Sequence, residues 1–286
     1  MKVLCPAKIN LFLSVGPLDA RGYHPIRTIF QAIGLFDELH IRRLGEGEAS
    51  ASHVFVCDSN EVPSDNTVTK ALRLLSEIAQ VPPLHLELVK RIPAQSGLGG
   101  GSSDAAGLIR AINRFLPSPI ADHHLMDVAV AVGADVPFFL VGGLALGEGY
   151  GEKLTPLPDP EVTHVVMVRP KVGVSTKDAY ERLDAAPREW REFPTDSARY
   201  NDFERVMPCD SDDWIERLSV HGASEAHLCG SGSAVFGIFP GEVEASSASE
   251  LLRTEWTHSY GHSDGEIPVW VTRTLTRSES LRIESL

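Results

Sequence analysis

The 286-residue sequence is poor in cysteine, and the four it has, Cys5, Cys57, Cys209 and Cys229, are scattered with no CxxC pair among them. That excludes a disulfide framework and a thiolate zinc site and fits a reducing compartment, so a cytoplasmic location is expected. Positive charge is short too: 26 Lys and Arg stand against 39 Asp and Glu, a net charge of −13. This balance argues against a broad electrostatic footprint for nucleic acid or an anionic membrane. A small anionic substrate remains open, provided a few placed Lys or Arg side chains and backbone N–H groups meet its charge locally. Long apolar runs are missing as well. No window holds about 18 consecutive apolar residues, so no membrane span is expected. Met1–Val15 carries Pro6, Lys8 and Asn10 where a signal peptide would need a clean apolar stretch. No internal repeat is present.

What remains is an ordinary globular composition, 43% hydrophobic and 23% charged, long enough for two modest domains or one large one. Loose alternation predicts strands over Val3–Val15, broken at Pro6, and over Phe30–Arg42, with a short strand at Val54–Cys57. Val68, Ala71, Leu72, Leu75 and Ile78 recur at helical spacing, so Asn66–Gln80 reads as a helix capped by Asp65. Leu84–Arg91 alternates as a strand with one buried face, and a loop from Ile92 to Asp104 opens onto a helix from about Ser103 to Phe115. Leu125–Val132 reads as a helix, and Gly133–Leu140 as a turn feeding an apolar run. Pro156, Pro158 and Pro160 mark a boundary, giving units 1–155 and 156–286. Beyond it the pattern is strand (Val162–Arg169), helix (Thr176–Leu183), helices near 201–207 and 212–220, strand (Ala226–Phe239), helix (Glu242–Trp256) and strand (Pro268–Leu275). That alternation reads as a small α+β sandwich. The polar last ten residues read as frayed.

The strongest local signal is Pro93-Ala-Gln-Ser-Gly-Leu-Gly-Gly-Gly-Ser-Ser103. Gly97, Gly99, Gly100 and Gly101 remove side chains where a backbone must approach something closely, and they permit positive φ. Ser102, Ser103 and the helix behind them offer free N–H groups at a positive helix end, which together make a phosphate cradle. No Gly-Lys-Ser/Thr follows, so Walker-loop chemistry is excluded, and no ribose-binding acid stands where a dinucleotide fold needs one. The bland alternative is a flexible turn. Asp104 is awkward beside an anion: either it points away and stabilises the helix, or Mg²⁺ mediates.

With this loop the sequence resembles the GHMP kinases, whose phosphate loop has the form Pro-x3-Gly-Leu-Gly-x-Ser-Ser/Ala. Further segments agree in order: Pro6-Ala-Lys-Ile-Asn-Leu-Phe12, Arg21-Gly-Tyr-His24, Gly133-Ala-Asp-Val-Pro-Phe138, Asn201-Asp202 and Gly230-Ser-Gly-Ser-Ala234. The extra glycine and Asp104-Ala-Ala point to the branch acting in the non-mevalonate isoprenoid pathway. The sequence departs at Arg21, where that branch commonly has Asp, and over Asp184–Thr195 and His258–Ser263.

The resemblance implies an α+β, two-domain GHMP kinase fold. Its N-terminal domain would be like ribosomal protein S5 domain 2, and its C-terminal domain a ferredoxin-like α/β sandwich closing the substrate cleft. It implies ATP with Mg²⁺ as cofactor, the metal held mainly by phosphate oxygens and water with no protein metal site. It also implies a small-molecule acceptor, a cytidine diphosphate methylerythritol, phosphorylated at its 2-hydroxyl, and a monomer or weak homodimer. It maps the general base onto Asp135 and charge stabilisation onto Lys8. The residues agree with that pairing, since a lysine in an apolar strand and an aspartate among Val136, Pro137, Phe138 and Phe139 each call for an opposite charge. Asn10 falls on the Lys8 face and is placed at the acceptor's hydroxyl end. Tyr23 and His24 are placed to read the cytosine by stacking and edge hydrogen bonds, with Tyr180 as the opposite face of a clamp. By pattern alone, Tyr180 on an amphipathic helix is a core residue. Asn66, Lys90 and Pro93 are candidates for the adenine side, Asn66 being equally the first residue of its helix. Gly97, Leu98, Gly99, Gly100, Gly101, Ser102 and Ser103 are placed on the ATP phosphates. Gly230 and Ser231 form a second tight turn toward the cleft.

Overall fold

The computed structural model describes residues 1–45, 53–186, 188–196, 198–261 and 267–284. Two long antiparallel strands, β1 (Lys2–Val15) and β2 (Ile26–Arg43), carry most of the first sheet. The ladder between them is irregular at Pro6/Ala7, where proline has no N–H to give it. Across that irregularity the two faces exchange. Val3 and Cys5 belong to one core, whereas Ala7 and Ile9 belong to another. Lys8 and Asn10, paired with Ala32 and Phe30, therefore turn toward the side that Val3 and Cys5 faced before it. The break expected at Pro6 is thus a change of face within one continuous strand.

The chain continues through β3 (Val54–Cys57), α1 (Thr67–Ile78) and β4 (Leu84–Val89). Next come α2 (Gly100–Phe115), α3 (Asp122–Val132), the short α4 (Val136–Val141), and the hairpin strands β5 (Leu144–Glu148) and β6 (Lys153–Pro156). Asn66 caps α1: its side-chain oxygen accepts the Val68 and Thr69 amides while the Thr69 hydroxyl accepts the Asn66 amide. The expected cap, Asp65, lies one residue too early. The α2 helix starts three residues before the expected Ser103, inside the glycine run. The apolar run after Gly133 is helical, and the hairpin behind it carries no strong turn dipeptide that would announce it.

The second half contains β7 (His164–Val168), α5 (Thr176–Asp184), β8 (Tyr200–Asn201), a 3₁₀ turn (Asp202–Arg205) and α6 (Cys209–Val220). It ends with β9 (Glu225–Leu228), β10 (Val235–Phe239), α7 (Glu242–Tyr260), β11 (Val269–Arg273), α8 (Arg277–Ser280) and β12 (Ile283–Glu284). Four of these strands form an antiparallel sheet in the order β11-β7-β10-β9, a ferredoxin-like arrangement. The strand expected over Ala226–Phe239 is two strands joined by a Cys229–Ala234 turn.

Alternation along β7 shows how the halves join. Val166 and Val168 pack with α5, α6 and α7 residues such as Leu183, Leu218 and Leu252. Val165 and Met167 face the other way, onto Ala7, Ile9, Ile33 and Leu98. The small sheet is therefore buried on both faces, one of them against the large sheet. A third cluster packs α1, α2 and α3 on β1, β2 and β4.

The expected boundary after residue 155 falls within β6, but the two halves are stitched beyond it. The β8 strand runs parallel to β1, with Phe12 opposite Tyr200, and β12 pairs Lys2 with Glu284 on the outer edge of β1. The expectation of a frayed tail is therefore corrected for residues 277–284; the last two residues lie outside the described set. Among the described residues no helix is long and apolar enough to cross a membrane.

Candidate active site

A cleft of about 660 Å³ opens between the α2 N-terminus, the inner face of β1 and the Cys229–Ala234 turn. Lys8 and Asn10 form part of its floor. Both are buried, and the Lys8 Nζ donates to Asn10 Oδ1 at 2.8 Å. Asn10 Nδ2 in turn donates to Thr28 Oγ1 at 2.7 Å, and that hydroxyl donates to Phe12 O, so the amide orientation is fixed through two bonds. The Lys8 ammonium lies 5.4 Å from the centre of the Phe30 ring and 3.6 Å from Asp135 Oδ2. Asp135 precedes α4 and makes no capping bond with its side chain, which is half-buried. Its carboxylate thus faces the lysine across the cleft and is not spent on the helix.

The glycine loop forms another wall. Gly97, at φ +80°, and Gly99, at φ +74°, adopt the left-handed conformation. A Cβ on Gly99 would press on the Phe139 ring at 2.9 Å and on Lys8 Cγ at 3.2 Å. The first turn of α2 closes when the Ser103 amide donates to Gly99 O at 2.9 Å. The amides of Gly100, Gly101 and Ser102 precede that bond and are the orphan donors of the helix end. They lie at the positive end of a 16-residue helix and line the cleft, an arrangement suited to phosphate oxygens. Leu98 and Ser103 are buried behind this surface, Leu98 in the core shared with the small sheet.

The second glycine turn abuts the first. Ala234 N–H donates to Ser96 O at 3.3 Å, and a Cβ on Gly230 would come within 3.3 Å of Lys8 Nζ. Asn201 fastens this turn by donating to Gly230 O at 2.8 Å and Leu228 O at 3.0 Å. Its neighbour Asp202 accepts the Val15 amide at 2.7 Å and the Tyr200 hydroxyl at 2.5 Å, fixing the end of β1. Ser231 lines the cleft, its Oγ 3.3 Å from Thr176 Oγ1.

Several side chains assigned to the ligands are engaged within the protein itself. Asn66 lines the cleft, but its side chain is occupied by the α1 cap and by Pro63 O. The Lys90 ammonium is held by Asp37 Oδ2 at 2.5 Å and Asp104 Oδ2 at 2.7 Å. Burial disfavours the Lys90 ammonium, yet those two carboxylates hold its pKa above the usual lysine range. Asp104 is buried and, like Lys90, lines the cleft wall, and its Oδ2 is spent on the Lys90 ammonium. The aromatic clamp is closed on itself: Tyr180 stacks on His24, ring centres 5.2 Å apart, and meets Phe203 edge-on. Tyr23 lies outside, exposed and packed 5.6 Å from Tyr150. His24 has Nδ1 2.8 Å from Gly16 O and Nε2 3.3 Å from Asp184. Burial pushes the Tyr180 hydroxyl up to about 12, with Asp135 adding to the effect. The segment that matches no family pattern helps here: Arg188 donates to Val15 O, Gly16 O and Leu183 O.

Asp37 escaped the sequence reading. It is fully buried, and its Oδ1 accepts the Arg91 amide at 2.5 Å and the Ile92 amide at 2.8 Å. The signal was an acid embedded in the apolar run Ile33-Gly-Leu-Phe-Asp37. Tyr150, which lines the cleft and donates to Asp19 Oδ2 at 2.5 Å, gave no such signal.

Residues 66–143 match the family model for the N-terminal domain of GHMP kinases, and residues 203–258 that for the C-terminal domain. A protein of Desulfitobacterium hafniense named 4-diphosphocytidyl-2-C-methyl-D-erythritol kinase is 32% identical, over 95% of this chain and 94% of the relative. A relative of the same name from Delftia acidovorans is 36% identical, over 82% of this chain and 85% of its own length. A crystal structure of 4-(cytidine 5'-diphospho)-2C-methyl-D-erythritol kinase superposes with a TM-score of 0.79 at 30% identity, covering 96% of this chain and 99% of that one.

Proposed function

The chain belongs to the 4-diphosphocytidyl-2-C-methyl-D-erythritol kinases within the GHMP kinase family, and from that premise we propose that it moves the γ-phosphoryl group of ATP to the 2-hydroxyl of 4-diphosphocytidyl-2-C-methyl-D-erythritol. The observation that carries the assignment is the Lys8–Asp135 pair, 3.6 Å apart, on a cleft that the free amides of the α2 N-terminus also line. Phosphoryl transfer asks for alignment, charge neutralisation and an exit for the hydroxyl proton. Asp135 accepts the proton of the 2-hydroxyl, and Lys8, steadied by Asn10, balances the charge that develops on the oxygens. The ATP phosphates rest on the amides of Gly100, Gly101 and Ser102, with Pro93 and Gly97 shaping the approach.

Mg²⁺ enters with the nucleotide. Among the described residues no cluster of three or more His, Cys, Asp or Glu side chains could hold it. When bound with ATP, the metal would be carried mainly by phosphate oxygens and water and would screen the polyphosphate charge. On the acceptor side, cytosine enters by parting Tyr180 from His24, with Tyr23 folding in from outside; what supports this is that Tyr180, stacked on His24, lines the same cleft as Asn10. Residues 1–155 act as the unit carrying Lys8, the loop and Asp135, and residues 156–286 as the unit closing over them.

An acceptor panel tests the assignment. Purified protein with Mg-ATP should turn over the cytidine diphosphate methylerythritol and leave homoserine, mevalonate and galactose largely untouched. Preference for any of the latter would reassign the chain to another branch of the family.

A further inference from the structure

Taking the kinase reading as given, we infer that Asp37, Lys90 and Asp104 are positioning residues that set the shape of the phosphate loop, and that Lys90 does not itself bind the phosphates. Asp37 stands on β2, the strand paired with β4, while Lys90 just past β4 and Asp104 near the start of α2 stand on the two ends between which the loop hangs. Asp37 Oδ1 takes the Arg91 and Ile92 amides at the loop's opening, and its Oδ2 takes Lys90 Nζ. Lys90 passes the connection to Asp104 at 2.7 Å. The two ends of the loop are thereby tied together through one ammonium. Contact with the phosphate-facing backbone is close: a Cβ on Gly100 would stand 3.2 Å from Asp37 Oδ2 and 2.9 Å from Ile92 Cγ2. A shift of Asp37 or Ile92 therefore moves the residue that opens the α2 helix.

Charge counting explains how such a group can sit beside a polyphosphate site. Asp37 and Asp104 are almost wholly buried, and one ammonium cannot neutralise both. Asp104 Oδ1 has no hydrogen-bond partner among the described residues. Burial, and then the Asp37 carboxylate, push the Asp104 acid well above the usual carboxylate range against the pull of Lys90. Burial and the neighbouring Asp37 both favour the uncharged form of Asp104, which weakens the negative charge this wall presents to the nucleotide.

Steady-state kinetics of Lys90→Met, Asp104→Ala and their combination separate this arrangement from a direct Lys90–phosphate contact. Each single change should raise KM for ATP about tenfold and alter kcat and acceptor KM by less than about threefold, and the combination should be no worse than the worse single change. Asp104→Asn, which keeps an acceptor for Lys90 and has no charge, should recover most of the parental KM for ATP. If Lys90→Met does not fold, Lys90→Gln supplies the same comparison. Multiplying losses in the double variant, a parental KM in Lys90→Met, or an Asn variant as impaired as Ala would each overturn the inference. Thermal unfolding alongside distinguishes loop shape from plain stability, because a lowered Tm with parental KM also overturns it. None of these outcomes bears on the acceptor preference of the unaltered protein.

Discussion

Substituting Gly97 by alanine isolates what the contact between the two glycine turns contributes. Gly97 has φ +80°, and a Cβ there would overlap the Cys229 carbonyl oxygen. That carbonyl cannot retreat cheaply. It accepts the Gly232 amide at 2.8 Å, and Asn201 grips the flanking Leu228 and Gly230 carbonyls. Gly22 supplies the control, having φ +81° with nothing within 4 Å of the Cβ position. The left-handed conformation costs an alanine about 1–2 kcal/mol at either site. Loss of unfolded-state entropy offsets both by a similar fraction of a kcal/mol. Only Gly97→Ala adds overlap, worth about 1–3 kcal/mol in a packed environment. At about 2–4 °C per kcal/mol for a chain of this size, Gly22→Ala should lower Tm by about 2–3 °C and Gly97→Ala by about 8 °C. The measurement is thermal unfolding by calorimetry, with KM for ATP alongside. Equal Tm losses for the two variants would refute the claimed contact, as would a Gly97→Ala protein with parental ATP affinity.

Asp135→Ala should reduce kcat by about 10²–10⁴-fold while equilibrium binding of ATP survives; unchanged turnover would remove the proposed base. Glu279, bound to Arg273 and to the Thr276 amide, is held at about 2 from an ordinary 4.5. A lowered folded-state pKa stabilises above the unfolded value and is lost as pH falls through the folded one, so amide protection factors around residues 276–284, referenced to the intrinsic exchange rate at each pH, should fall between about pH 4.5 and 2. Glu279→Gln should flatten that dependence, and an unaltered pH profile in the variant would discount the ion pair. Arg110 has Nε and Nη1 buried with no partner among the described residues, and only a 3.4 Å bond from Nη2 to Leu4 O. Arg110→Met should therefore raise Tm by a few degrees, since removing a poorly compensated buried charge stabilises by about 1 kcal/mol or more; a lower Tm would contradict this.

Features that rest on local chemistry were readable beforehand. The strands at Val54–Cys57 and Leu84–Val89 and the glycine loop before a helix follow from pattern, while the pairing of Lys8 with Asp135 came from the family resemblance, in agreement with the need of a secluded charge for its opposite. Features that rest on distant partners were not. Glycines are poor helix formers, so α2 seemed to begin at Ser103; Gly100 opens it because Ile92 and Asp37 leave no space for a larger residue. The Tyr180–His24 stack joins residues far apart in sequence, and no spacing rule forecasts it. The tail carried one local hint, Thr276 followed by Glu279 as a capping box, but its order depends on pairing with β1.

The stitching of β12 onto β1 has a consequence for how the molecule comes into being. Lys2 leaves the ribosome long before its neighbour in the sheet, Glu284, which emerges only after the whole small sandwich has been made. Until then the outer edge of β1 at Lys2 and Val3 leaves its amides and carbonyls uncovered, open to pairing with another nascent chain. Trimming the polypeptide before Ile283 should thus show itself first as poor recovery from synthesis, through clumping of half-made chains.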